Sequence, residues 1–223
     1  RQQSAMWQAM LMSVGLPPSR HIIIDGFIQS GGQKMSKSLG NVISPFDVID
    51  FFKTVTDFPE DVLRFVLLHD VPSFEDGDLT MESIKELYRA NLQDGLGNLT
   101  SRIMKMATSY GVSWQDYIGD DSVYHNYPGV WDVAYNNFDL KTVIENIWGK
   151  IGALDFYVQA NEPYKKIKTD EKVAKKDVAY LLSHLLRISY ELEPLLPKTA
   201  LEVRRLVLEN KMPEKPLFAR LEK

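Results

Sequence analysis

The chain has 223 residues, of which 44% are hydrophobic and 25% are charged, with a formal net charge of −4. These are ordinary values for a folded globular protein, so they exclude a disordered or collagen-like chain, and no uncharged apolar run approaches the roughly 20 residues that a membrane span needs. Cysteine is absent, which excludes a disulfide framework and a thiolate metal site and fits a reducing compartment. We expect no metal site in this chain, no membrane partner and a cytoplasmic location.

The charge is distributed unevenly along the chain. Residues 165–223 hold 14 basic and 9 acidic side chains, whereas residues 1–164 hold 12 basic and 21 acidic ones. A basic end on an acidic body can bind a polyanion, because the local potential matters more than the total charge. A solvated helical surface explains the same pattern, so the charge alone leaves both interpretations open.

Short helices and one strand are predicted over the first 80 residues. In chain order they are a helix over 5–15, a strand over 21–28, a loop from Gly31, a helix from Pro45, a helix from Pro59 and a connector over 71–80. The start at Pro45 is well defined, since Ser44 can cap the helix and Asp47 lies in its first turn. A single strand cannot form a sheet, so we expect its partner strand, and part of the protein, to lie outside this chain.

Long helices are predicted over the rest of the chain. From Thr80 to Met106 the apolar residues recur at helical spacings and form one broad face. An irregular connection over 111–137 is followed by helices over 139–159, over 174–193 and after Pro197. Because long helices with short links pack side by side, the expected fold class is mostly α: an α/β portion followed by an antiparallel α-helical bundle.

The loop at 31–41 has the composition of a phosphate-binding loop. Glycines at both ends permit unusual backbone angles, and two lysines, Lys34 and Lys37, stand three residues apart between them. The short side chains of Ser36 and Ser38 leave backbone N–H groups within reach of phosphate oxygens, and lysine is a compact charge on a flexible stem. A solvated basic turn would have the same composition.

The string from Lys34 to Ser38, Lys-Met-Ser-Lys-Ser, resembles the second signature motif of class I aminoacyl-tRNA synthetases. The flanking strand and the segment from Leu39 to Pro45 are also similar to that family. The resemblance implies a Rossmann-type catalytic domain whose loop closes on ATP with its Mg²⁺. It implies that Lys34 and Lys37 are catalytic and stabilise the pyrophosphate leaving group, while Met35, Ser36 and Ser38 complete the ATP-binding loop.

Three further segments look like methionyl-tRNA synthetases in particular: residues 6–11, 75–79 and 92–102. The resemblance implies that residues 1–75 are the C-terminal end of the catalytic domain and that residues 76–223 are an anticodon-binding α-helical bundle. The implied reaction is the ATP-dependent activation of methionine and its attachment to tRNA. The implied partners are methionine and the initiator and elongator tRNA-Met.

A polar stripe follows from the spacing of Asp94, Asn98 and Arg102 at i, i+4 and i+8. Asparagine offers a donor and an acceptor to a base edge, and arginine offers a planar fork, but a solvent-exposed network would show the same stripe. Gly95 and Gly97 are costly inside a helix, which indicates close packing or the close approach of a ligand. The resemblance implies that the stripe binds the anticodon.

Tyr164 follows Pro163 at the predicted end of the second long helix. The family usually has tryptophan at this position, stacked on an anticodon base, and tyrosine can stack as well. Without the resemblance, a half-buried structural tyrosine is an equal alternative. Lys165, Lys166 and Lys168 come next and either hold phosphates or form a solvated helix end.

The family's first signature motif, of the type His-x-Gly-His, is absent, and the four histidines are isolated. We therefore expect this chain to be inactive alone, with any zinc confined to a part upstream of it. Two other functions stay open. One is a non-catalytic tRNA-binding module that retains the loop, and the other is a different class I aminoacyl-tRNA synthetase.

Overall fold

The computed structural model describes residues 2–117 and 130–221, which are mostly helical with one small sheet. Two π-helical segments (Gln2–Met6 and Tyr88–Gly97) and two 3-10 turns (Lys37–Leu39 and Trp114–Asp116) supplement the regular helices. The α-helices are α1 (Trp7–Ser13), α2 (Pro45–Phe52), α3 (Pro59–His69), α4 (Met81–Leu87), α5 (Asn98–Tyr110), α6 (Val130–Asn136), α7 (Leu140–Asn161), α8 (Pro163–Lys166), α9 (Glu171–Leu192) and α10 (Pro197–Glu209). Over these two ranges, every helix is too short or too polar to cross a bilayer.

The sheet has three short strands in the order β2-β1-β3. The central strand β1 (Ile28–Ser30) pairs antiparallel with β2 (Gln33–Lys34) and parallel with β3 (Gly77–Asp78). The predicted strand over 21–28 is therefore wrong for most of its length, and β1 finds its partner strands within the chain, contrary to expectation. That part of the protein lies outside this chain stays a prediction. A strand needs a hydrogen-bonding neighbour, and the described residues supply one only from Phe27 onward.

The connector over 71–80 packs closely against the chain at Gly26, just before β1. A Cβ atom at Gly26 would lie 2.0 Å from the backbone oxygen of Glu75, so only glycine fits there. The Asp76 carboxylate accepts hydrogen bonds from the Phe27 N–H at 2.7 Å and from the Gln29 side chain at 3.1 Å. A segment predicted as an irregular connection thus carries β3 and fixes the strand that leads into the loop.

The predicted helix starts at 45 and 59 are confirmed. The Ser44 hydroxyl accepts a hydrogen bond from the Phe46 N–H, Pro45 occupies the first turn of α2, and Asp47 lies in the same turn. The predicted helices over 139–159 and 174–193 correspond to α7 and α9. The predicted connection over 111–137 lies partly outside the described residues.

The helical stretch that begins after Thr80 is interrupted by the π-helical segment Tyr88–Gly97 between α4 and α5. At Gly97 a Cβ atom would lie 2.9 Å from the Leu92 oxygen and 3.3 Å from the Phe218 ring, whereas at Gly95 the nearest atom would be 3.4 Å away. The cost of glycine in this helix is thus explained at Gly97 by close packing against the C-terminal segment.

One hydrophobic core runs through the molecule, and α9 lies at its centre, packed against α5, α7 and α10. Helices α2 and α3 join the same core, since Phe52 and Phe65 are fully buried in one cluster with Tyr88, Ile147 and Leu182. The core is therefore continuous across residue 75. This packing holds the loop at 31–41 and the helices after residue 80 on one scaffold.

Candidate functional site

Two glycines with left-handed backbone angles, Gly31 (φ 64°) and Gly32 (φ 72°), form the turn between β1 and β2, and the loop leaves the sheet after Lys34 at the end of β2. The Gly32 N–H donates a hydrogen bond to the Asp78 carboxylate at 3.0 Å, which anchors the start of the loop to β3. A third left-handed glycine, Gly40 (φ 64°), ends the 3-10 turn Lys37–Leu39. The signature residues therefore lie between two fixed points at which the backbone can turn.

Asn41 shapes the interior of the loop. Its side-chain oxygen accepts a hydrogen bond from the Ser36 N–H at 2.8 Å, and its amide donates to the Lys34 carbonyl at 3.3 Å. The hydroxyls of Ser36 and Ser38 lie 2.7 Å apart. Asn41 was not among the predicted site residues, because its only signal in the sequence is an amide side chain directly after the loop glycine.

The two loop lysines are exposed cations. Among the described residues, neither Lys34 nor Lys37 forms an ion pair or a side-chain hydrogen bond, and the Lys34 ammonium lies 4.6 Å from the centre of the Phe27 ring. Met35 and Ser36 are half-buried beneath them. Two uncommitted point charges on a loop with glycine turns can follow and stabilise a polyphosphate.

A second candidate site is a cavity of about 380 Å³ between α5, α7 and α8. It brings together Arg102 and Tyr164, which are distant in the sequence and were both predicted to bind the anticodon. Asp94 and Asn98 are exposed nearby on the same helical stretch but do not line this cavity. The lining residues are Arg102, Lys105, Met106, Ser109, Tyr110, Val158 and Tyr164.

Arg102 is held by a carboxylate from the neighbouring helix. Its Nη1 donates to Asp155 Oδ1 at 2.6 Å, and Asp155 Oδ2 accepts a hydrogen bond from Gln159 Nε2 at 2.5 Å. Asp94 instead accepts from its neighbour Gln93 at 2.8 Å. Asp94 and Arg102 of the polar stripe therefore bond to residues outside the stripe and not to each other. Asp155 was missed by the sequence analysis, because its contact with α5 is not visible in local spacing.

Tyr164 is presented at the turn between α7 and α8. Glu162 has a left-handed backbone (φ 45°), Pro163 begins α8, and Tyr164 follows with 43% of its surface exposed. The Tyr164 hydroxyl donates to Glu162 at 3.3 Å, and Lys165 forms an ion pair with the same carboxylate. The hydrogen bond from Lys165 lowers the pKa of Glu162.

The basic run after Tyr164 is only partly available to a ligand. Lys165 is paired with Glu162, and Lys166 lies 3.2 Å from the buried carboxylate of Asp177, which also accepts a hydrogen bond from the Tyr157 hydroxyl at 2.9 Å. Lys168 is exposed. Within residues 2–117 and 130–221, no cluster of three acidic or histidine side chains has the geometry of a metal site.

Comparisons with known proteins find relatives of one kind. A family model described as "tRNA synthetases class I (M)" matches residues 2–104. The methionine–tRNA ligase of Caldanaerobacter subterraneus subsp. tengcongensis is 30% identical over 209 residues, which are 89% of this chain and 32% of that protein. The corresponding enzyme of Thermosynechococcus vestitus is 27% identical over 202 residues, 86% of this chain and 37% of that protein.

The fold is also similar to a solved structure. Mycobacterium tuberculosis methionyl-tRNA synthetase in complex with methionyl-adenylate matches with a TM-score of 0.80 at 21% identity, over 98% of this chain and 48% of that one. The chain thus spans about a third of the length of the curated relatives and about half of this structure. By its family-model match and its relatives, the chain is similar to methionyl-tRNA synthetases of class I, and its fold is similar to that of one such enzyme.

Proposed function

We propose that this chain supplies the ATP-binding loop and the anticodon-binding helices of a methionine–tRNA ligase. That enzyme joins methionine to AMP, releases pyrophosphate from Mg²⁺-bound ATP, and transfers the methionyl group to tRNA. In this proposal residues 1–75 are the end of a Rossmann-type catalytic domain and residues 76–223 are the anticodon-binding bundle. The similarity to methionine–tRNA ligases supports it, and a protein of similar fold has been crystallised with methionyl-adenylate.

Lys34 and Lys37 stabilise the pyrophosphate leaving group in this proposal. Both are exposed and uncommitted among the described residues, and the glycines around them allow the loop to move as the phosphates separate. Met35, Ser36 and Ser38 complete the ATP-binding loop; the Ser36 N–H is bonded to Asn41, which leaves the paired hydroxyls of Ser36 and Ser38 to meet phosphate oxygens. A positioned donor for developing charge typically lowers a barrier by on the order of 3 kcal/mol.

The anticodon is bound in this proposal by Asp94, Asn98, Arg102 and Tyr164. The observation that carries it is the single cavity lined by both Arg102 and Tyr164. Arg102 offers a planar fork to a base edge, and the exposed ring of Tyr164 offers a stacking surface. The expected partners are the initiator and elongator tRNA-Met, which share one anticodon.

A pair of RNA hairpins tests the anticodon site. One carries the CAU anticodon in its loop and the other carries a different triplet on the same stem. We expect the chain to prefer the CAU hairpin, and Arg102→Ala to reduce this preference about tenfold. Arg205→Ala is the control, because Arg205 is also an ion-paired arginine but lies on α10 outside the cavity. Equal binding of both hairpins would reject the anticodon assignment.

The loop requires a separate test, because a non-catalytic RNA-binding module would also bind hairpins. The chain has no His-x-Gly-His motif, so we infer that it does not catalyse methionine-dependent ATP–pyrophosphate exchange alone. Exchange by the isolated chain would contradict that inference. The catalytic role of the loop is tested by substitution of Lys37 in the longer enzyme.

A further inference from the structure

Arg102 is restrained before any ligand arrives. Its guanidinium donates to Asp155 Oδ1 at 2.6 Å, and Gln159, one turn farther along α7, donates to Asp155 Oδ2. Both carboxylate oxygens are therefore engaged, so Asp155 has little freedom to turn away from Arg102. A side chain of α5 is in this way held by two consecutive turns of α7.

The ion pair between Arg102 and Asp155 fixes the position of the guanidinium more than it stabilises the fold. The side chains of Arg102 and Asp155 are 34% and 37% exposed, and ion pairs at such exposure contribute little to the free energy of folding. Arginine has five N–H donors in a fixed fork, and the bond to Asp155 engages a single nitrogen, Nη1. The remaining N–H donors of Arg102 can bind a ligand. Because Asp155 already holds the side chain, binding requires little further loss of its conformational entropy.

The same cavity contains a contrasting cation. Lys105 stands three residues after Arg102 on α5, lines the cavity and is exposed, and it forms no ion pair with any residue in the described ranges. A freely moving ammonium attracts phosphates without regard to sequence, whereas a fixed fork can distinguish base edges. The cavity therefore pairs one tethered cation with one free cation.

We propose that Asp155 is a positioning residue for anticodon recognition, which fixes the Arg102 guanidinium at the cavity and thereby sets the discrimination between RNA sequences. This inference rests on the proposed anticodon-binding function. Asp155 acts through Arg102 and does not itself contact RNA. Its loss should therefore lower discrimination only while Arg102 is present.

The decisive quantity is the ratio of the two hairpin affinities. Removing the Asp155 charge favours the binding of every RNA, and this general effect cancels in the ratio. Asp155→Asn keeps the shape and one acceptor oxygen, and Asp155→Ala removes the tether entirely. Gln159→Ala loosens Asp155 without changing any charge. Asp57→Asn is the matched control, because it breaks an ion pair with Lys215 outside the cavity.

We expect the CAU preference of the 223-residue chain to fall about fivefold in Asp155→Ala and by less in Asp155→Asn and Gln159→Ala, with melting temperatures close to that of the wild type. The double variant Arg102→Ala/Asp155→Ala should have the same ratio as Arg102→Ala alone, since one residue acts through the other. The Asp57→Asn control should retain the full preference.

Failure of this proposal is distinguishable from failure of the proposed function. If Arg102→Ala leaves the ratio unchanged, the anticodon assignment itself is wrong. If Arg102→Ala removes the preference while the Asp155 and Gln159 variants keep it or increase it, Asp155 does not position Arg102 and the proposal is overturned. If Asp155→Ala does not fold, the ratio of the two hairpin affinities for Gln159→Ala provides the same test. A lowered ratio supports the proposal, and an unchanged or raised ratio overturns it.

Discussion

The carboxylate of Asp61 accepts a hydrogen bond from the backbone N–H of Thr199 at 2.6 Å, and only 1% of Asp61 is exposed. Asp61 lies in the first turn of α3 and Thr199 in the first turn of α10, where helical N–H groups lack internal partners. Arg64, on the next turn of α3, donates to the carbonyl of Leu195 at 2.6 Å. Helix α3 is therefore bound to the backbone at the start of α10.

Asp61 should give the protein a measurable pH dependence. Burial raises the pKa of its carboxyl above the usual 3.8, in spite of the opposing hydrogen bond from Thr199. Because the folded-state pKa exceeds the unfolded one, the stability from the protonated form is fully present below pH 3.8 and is lost as the pH rises through the folded-state pKa. We compare the melting temperatures of Asp61→Asn and wild type. Their difference, variant minus wild type, should increase as the pH rises from 3.8 through the folded-state pKa of Asp61, and should be constant at higher pH. A pH-independent difference would contradict this.

Gly97→Ala should destabilise the protein. The new methyl group would lie 2.9 Å from the Leu92 oxygen and 3.3 Å from the Phe218 ring, and overpacking of this kind costs about 1–3 kcal/mol. Gly149→Ala in α7 is the matched control, since no atom lies within 4 Å of the added Cβ and helix propensity should raise the stability by up to about 1 kcal/mol. Urea denaturation measures both, and shifts of the same sign would refute the packing argument.

Lys37→Ala should slow methionine activation in the longer enzyme that we propose. Removing one charge that stabilises the leaving group should lower the rate of ATP–pyrophosphate exchange by about 10²-fold or more. The affinity for tRNA should be unchanged, because the loop is not part of the cavity at Arg102. Lys53→Ala serves as the control, since Lys53 is a surface lysine paired with Asp50 on α2. An unchanged exchange rate would remove Lys37 from the chemistry.

Tyr164 should act through its ring and not through its hydroxyl. Among the residues that the structure describes, the hydroxyl bonds to Glu162 alone, at 3.3 Å, whereas the ring is exposed at the cavity. Tyr164→Ala should weaken CAU hairpin binding by about 1–3 kcal/mol, and Tyr164→Phe should bind almost as the wild type does. Fluorescence titration distinguishes the two variants. Equal losses in both would assign the contribution to the hydroxyl.

Lys105→Ala should weaken hairpin binding without changing the preference. A phosphate contact releases counterions, so the slope of log affinity against log salt should become shallower by about 0.7–1. The CAU preference should stay at its wild-type value, in contrast to Arg102→Ala. Titrations of both hairpins at several salt concentrations measure these quantities. A lost preference with an unchanged slope would mean that Lys105 reads bases.

The features that the sequence predicted correctly are local ones. The start of α2 depends on Ser44 and Pro45, adjacent residues whose capping chemistry is independent of the rest of the fold. The strand predicted over 21–28 lies instead at Ile28–Ser30, because the strands that pair with it are β2 and, about fifty residues later, β3, which resembles a loop in sequence. The candidate site likewise combines features that are local in the sequence with features that depend on contacts between distant segments. The loop lysines are predicted from a contiguous string and stay a prediction, whereas the contact of Arg102 with Asp155 joins two helices and leaves no trace in local spacing.

The π-helical segment Tyr88–Gly97 determines which way the polar stripe faces. An α-helix has 3.6 residues per turn, while i→i+5 hydrogen bonding places more residues in each turn, so the phase of α5 depends on how this segment winds. One residue corresponds to about 100° of helical rotation. Deleting a single residue here would change the direction in which Arg102 leaves α5 relative to Asp155 of α7. In the function that we propose, anticodon specificity therefore depends also on the length of a segment of which no residue lines the cavity.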